Sequence, residues 1–147
     1  MRPVPVAPRL LGTVLPAPVD GSGGAFGPRR PRQVLVVDDD RNIRHAVRDA
    51  LQDDGYLVVE AADGAEALRL LGGIEPCLIL LDMRMPGVDG WAFVRAYRAS
   101  DYPRVPLVVM TAARDSRAWA REIGADGTLD KPFDLDDLVR VLDKYCG

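Results

Sequence analysis

Cys77-Leu78-Ile79-Leu80-Leu81-Asp82-Met83-Arg84-Met85-Pro86-Gly87-Val88-Asp89-Gly90 is the stretch on which the reading of the fold turns. Leu78 to Leu81 are consecutive apolar residues, and Pro86 and Gly87 close the segment. A short apolar run bounded by turn formers reads as a strand buried on both faces, the kind that parallel sheets contain. Asp82 is then the first residue to leave the core. Ligands of open α/β sheets sit beyond the carboxyl ends of the strands, so a carboxylate at this point is placed for chemistry; a turn-capping Asp is the plainer alternative.

Working outward, the same pattern repeats. Val34 to Val37 is an apolar run ending in Asp38-Asp39-Asp40, and Leu107 to Met110 is one ending in Thr111. Tyr56 to Ala61 and Gly127 to Asp130 read as two further strands, the last leading to Lys131-Pro132. Between them lie amphipathic stretches. Ile43, Val47 and Leu51 recur at helical spacing, as do Ala65, Leu68 and Leu71. Asp89 caps a helix to about Ala99 in which Trp91, Val94 and Tyr97 face the sheet; Arg114 to Ile123 is a helix closed by Gly124; Asp134 caps a last helix that buries Leu135, Leu138 and Leu142. Strands alternating with helices predict an α/β fold. Its five-stranded parallel sheet takes the flavodoxin-like order 2-1-3-4-5, with helices on both faces.

Composition sets the outer bounds. At 147 residues, 48% of them hydrophobic, the chain is long enough for one domain with a real core. No apolar run reaches the ~20 residues of a membrane span. Residues 1–32 hold seven Pro, five Gly and five Arg without periodicity, and are expected to be a disordered tail, with a basic docking arm built on Arg29, Arg30 and Arg32 as the alternative; residues 33–147 are expected to be the folded domain. That domain carries 14 basic against 21 acidic residues, which argues against direct nucleic-acid binding. Cys77 and Cys146 have neither disulfide-framework density nor metal-ligand spacing, and are expected to be free thiols in a cytoplasmic protein.

In the expected fold the strand ends bring Asp38, Asp39, Asp82, Thr111 and Lys131 to one edge. Clustered carboxylates repel one another unless they protonate or hold a cation, and Mg²⁺ suits an all-oxygen set. A Mg²⁺ beside an aspartate suggests phosphoryl transfer, with Asp82 as the nucleophile, Lys131 as the neutralising cation and Thr111 as a hydrogen-bond donor to a phosphoryl oxygen. The chain has 17 Arg and only two Lys, so Lys131 departs from its habit at the point where a compact charge is useful.

The segments VLVVDDD, LILLDMRMPGVDG, PLVVMTA and GTLDKPF resemble the receiver domains of two-component response regulators over about Gln33 to Tyr145. The resemblance implies that Asp82 accepts a phosphoryl group from a sensor histidine kinase or a His-containing phosphotransfer protein, and that the output is a changed surface for a downstream protein. It implies Mg²⁺ held by Asp39 directly, by Asp38 through water, by Asp82 and by the backbone carbonyl of Arg84. Thr111 and Lys131 would coordinate the phosphate, and no turnover enzyme is implied beyond self-phosphorylation and slow autodephosphorylation. There are three departures from the family's pattern. Thr128 stands where the family has Tyr or Phe, the Thr111–Lys131 interval is about two residues short, and the chain stops after the receiver's last helix.

Two other functions compete. Asp38-Asp39-Asp40-Arg41-Asn42 partly resembles the nucleophile motif of haloacid-dehalogenase-like phosphatases, with Asp38 attacking and Asp40 as the acid, although Asn42 breaks the pattern. A receiver-like module that acts without phosphorylation is the other, kept open by Thr128. His45, the sole histidine, reads as a solvated helix residue. Trp119 reads as core or as a partner anchor, and Arg84 as either a solvated side chain or one that overhangs the phosphate.

Overall fold

The computed structural model describes residues 32–147, so the expectations for the tail lie outside the described residues. Strands and helices alternate without exception: β1 (Gln33–Val37), α1 (Arg41–Gln52), β2 (Leu57–Ala61), α2 (Gly64–Leu71), β3 (Leu78–Asp82), α3 (Gly90–Ala99), β4 (Leu107–Ala112), α4 (Ala113–Ile123), β5 (Gly127–Lys131) and α5 (Leu135–Tyr145). The sheet is wholly parallel in the order β2-β1-β3-β4-β5, as the sequence predicts. Every residue of β3, the central strand, is buried.

Alternation along the strands divides the core in two. Leu35, Val37, Ile79, Leu81, Leu107 and Val109 point to the face covered by α2, α3 and α4, where Ala67, Leu71, Phe93, Val94, Tyr97 and Ile123 meet them. Val34, Val36, Leu78, Leu80, Val108 and Met110 point to the other face, against Val47 and Leu51 of α1 and Leu138 and Leu142 of α5. Both faces being covered explains why the strands read as continuous apolar runs rather than alternating ones.

Side-chain caps fix most helix starts. Asp63, Asp89 and Asp134 accept the backbone N–H of Glu66, Ala92 and Asp137 at 2.8, 2.9 and 2.9 Å, each satisfying a donor that the first turn leaves open. α4 has no side-chain cap and ends on Gly124 in the left-handed conformation.

Some expectations need correcting. In α2 the buried side is Gly64, Ala67 and Leu71, and Ala65 is exposed. Gly64 packs so closely on the Val88 loop that a Cβ there would sit 2.7 Å from the Val88 carbonyl, which rotates the helix away from the phase its Ala and Leu spacing suggests. In α3, Phe93 is fully buried whereas Trp91 is only half-buried. Leu135 is 55% exposed in the first turn of α5, and the buried side of that helix begins at Leu138. The two cysteines are not free: Cys77 and Cys146 form a disulfide with Cα atoms 5.5 Å apart, since β3 begins where α5 ends.

Gly90 has no room for a side chain. A Cβ there would lie 2.7 Å from the Met83 Cα and 2.6 Å from its Sδ, and Met83 is fully buried directly after Asp82. Gly90→Ala is expected to lower stability by ~1–3 kcal/mol in urea unfolding, through overpacking against backbone that cannot retreat. An unchanged midpoint would contradict this packing.

Candidate functional site

The site is built where β1, β3, β4 and β5 end side by side. Register sets the geometry: Val37 pairs with Leu81, Asp82 with Met110 and Ala112 with Lys131. Asp38 therefore follows directly on the strand beside Asp82, and Thr111 lies one residue past Asp82's partner.

Asp38 is fully buried and held on several sides. Its N–H donates to the Ala61 carbonyl at 3.0 Å, its carbonyl accepts from Arg44 Nη1 at 2.8 Å, and its Oδ1 accepts from the Asp40 N–H at 2.9 Å. The second oxygen, Oδ2, takes Lys131 Nζ at 2.6 Å. That ammonium also stands 3.7 Å from Asp82 Oδ1, which accepts the Arg84 N–H at 3.3 Å. One lysine thus serves two carboxylates from neighbouring strands.

Asp39 is exposed, and with Asp38 and Asp82 it can present three carboxylate oxygens within 4.8 Å of one another. At that distance each pair of charges costs ~3 kcal/mol at an effective dielectric of ~20. A single ammonium does not neutralise three carboxylates. The strain shows at Asp82: burial, and then the Asp38 charge, raise its pKa to about 6 against the pull of Lys131 and the Arg84 N–H. An all-oxygen donor set with surplus negative charge fits a hard divalent cation such as Mg²⁺.

Thr111 is buried at the end of β4. Thr128 is half-buried on β5 and lines an open groove of about 350 Å³ with Asp130, Asp137 and Val141. The structure thus brings together Asp38, Asp39, Asp82 and Lys131 and sets Thr111 at the neighbouring strand end. His45 lies 3.7 Å from Glu60, with its side chain 39% exposed, in a cluster that also contains Arg44 and Arg48.

Sequence reasoning missed several participants. The bond from the Asp40 N–H to Asp38 is an Asx turn, and its signal was available in the Asp run itself. Asp115 was not singled out. It lies 3.5 Å from Arg84 Nη2, and the Arg84 guanidinium stacks 5.0 Å from the centre of the Trp119 ring. Trp119 in turn meets Trp91 edge to face at 5.0 Å. No spacing rule announces these contacts, because they join a loop to two helices far apart in the chain.

The comparisons with known proteins agree with this architecture. Residues 34–143 match the model of the response regulator receiver domain. Response regulator MprA of Mycobacterium sp. (strain KMS) is 42% identical over 112 residues, which is 74% of this chain and 48% of that protein. The chain therefore spans about half the length of the curated relatives it matches. Among solved structures, chemotaxis response regulator CheY4 of Vibrio cholerae superposes with a TM-score of 0.71 at 35% identity, covering 79% of this chain and 99% of that one. The receiver domain of sensor histidine kinase PA1611 from Pseudomonas aeruginosa PAO1 superposes with a TM-score of 0.71 at 30% identity, over 79% of this chain and 98% of its own. It has a magnesium ion coordinated in its active site cleft. Sheet order, the acidic strand-end cluster and the match over residues 34–143 lead to one conclusion: the chain belongs to the response regulator receiver domain family.

Proposed function

We propose that this receiver is a phosphorylation-operated switch or relay in which Asp82 takes a phosphoryl group from a phosphohistidine. The observation that carries the reading is the pairing of one ammonium, Lys131, with carboxylates on two strands, beside a third carboxylate that leaves the cluster short of positive charge. Asp39 and Asp82 would hold Mg²⁺ directly, Asp38 through water, with the Arg84 carbonyl completing the set. The ion would supply charge neutralisation for the transferred oxygens.

The remaining steps belong to the chain's own residues. An Asp82 carboxylate oxygen attacks phosphorus, the N–P bond of the donor breaks, and its electron pair returns to the imidazole. Lys131, already 3.7 Å from Asp82, pairs with the new phosphoryl oxygens, and the Thr111 hydroxyl donates to another. The acyl phosphate is a signal, later lost by slow hydrolysis, and the output is an altered surface for a downstream protein, without direct binding of nucleic acid by this domain. The donor is a histidine kinase or a His-containing phosphotransfer protein, which places this chain in the cytoplasm. Among the described residues no helix is long and apolar enough to cross a membrane.

The phosphatase alternative needs Asp40 as an acid, but its carboxylate accepts the Asn42 N–H at 2.8 Å as the cap of α1, and Asp38 is wholly buried against Lys131. Incubation with acetyl phosphate, with and without Mg²⁺, read by intact mass, tests the proposal. One phosphoryl adduct is expected in the presence of Mg²⁺ and none after chelation. An adduct indifferent to the metal, or none under saturating donor, would overturn it.

A further inference from the structure

The Arg84 side chain ties the loop after Asp82 to α4, through Asp115 and Trp119. We infer that the Arg84 side chain is a latch on α4, held by Asp115 and Trp119 in the resting protein and drawn off by the phosphoryl group on Asp82. This inference rests on the phosphoacceptor reading above and deepens it.

Reach comes first. The Arg84 N–H is 3.3 Å from Asp82 Oδ1, so its Cα is at most about 4.8 Å from that oxygen, within the sweep of an arginine side chain. In the resting structure that side chain points elsewhere, 3.5 Å from Asp115 and 5.0 Å from the Trp119 ring centre.

Magnitudes then decide which partner holds it. The Arg84 side chain is 70% exposed, and an ion pair so open to solvent contributes ~0–1 kcal/mol. The solvent-exposed Arg84 cation over the half-buried Trp119 ring adds ~0.5–1 kcal/mol. A phosphoryl group brings about two negative charges and oxygens that match the guanidinium fork, so it outcompetes both. Departure of Arg84 strips Trp119 of its cation and leaves Asp115 alone in the first turn of a helix that has no side-chain cap. The change is delivered to the face where Trp119 meets Trp91. Asp115 is therefore a positioning residue, acting through Arg84.

The chain has two tryptophans, so Trp91→Phe leaves Trp119 as the sole indole. Its emission is recorded during labelling with acetyl phosphate and Mg²⁺, intact mass is read in parallel, and the change is expressed per labelled molecule. A shift in the emission maximum on labelling is expected. It should be lost when Arg84→Ala is added and reduced with Asp115→Asn, whose unlabelled spectrum already lies closer to the labelled one. A labelled protein with unmoved Trp119 emission, or a shift that survives Arg84→Ala undiminished, would overturn the latch and leave the phosphoacceptor reading intact. Failure to label at all would remove both.

Discussion

Asp82→Asn is expected to make the metal-free protein more stable at neutral pH, even though it removes the residue on which the proposed activity depends. The Asp82 pKa stands at about 6 in the folded chain against an ordinary 3.8, chiefly because burial and then Asp38 disfavour its charge. Between those two values the folded state holds a proton on Asp82 that the unfolded state has released. The contribution of this group to stability is therefore favourable at low pH and is lost as pH rises from ~4 to ~6. Fully ionised, it costs up to about 3 kcal/mol. Asparagine keeps the acceptor for the Arg84 N–H without the charge. Urea unfolding in the presence of a chelator should show the variant ahead of the parent by most of that amount at pH 7.5, and level with it near pH 4. Magnesium should reverse the order, since it stabilises only the parent's complete donor set. A variant less stable than the parent in metal-free buffer at neutral pH would refute the electrostatic description of the cup.

Cys146→Ser should do the opposite, lowering stability by at least as much as that gain and for an unrelated reason. The disulfide ties the start of β3 to the end of α5 across 69 residues of sequence. Closing a loop of that length restricts the unfolded chain by about 4.4 kcal/mol in the chain-entropy model. In oxidising buffer the variant is expected to unfold at clearly lower urea than the parent, and reductant should bring the parent down to meet it. Equal midpoints in oxidising buffer would mean that the two thiols are not joined.

The order of elements and the strand-end cluster were legible because both follow from short-range pattern. Apolar runs such as Leu78–Leu81 announce doubly covered strands, Asp89 and Asp134 announce helix starts, and parallel connectivity then forces the strand ends together. What stayed hidden depends on how distant segments press on each other. The phase of α2 is set by Gly64 against Val88, a contact that its Ala and Leu spacing cannot report. Cys77 and Cys146 look like strays until the face formed by α1 and α5 brings them within 5.5 Å. Asp115 reads as one of many surface carboxylates until the turn after β3 lays Arg84 beside it. Leu135 fits the apolar spacing of α5 yet is exposed, because a helix pattern does not say at which turn the packed contact begins.

The central claim is that phosphorus is captured by one particular carboxylate among three lying within 4.8 Å. Proteolysis of the acetyl phosphate-labelled protein, after borohydride trapping of the acyl phosphate, reports by fragment mass which aspartate was modified. Modification confined to Asp82 is the predicted result. Modification at Asp38 or Asp39, or a labelled Asp82→Asn protein, would contradict it.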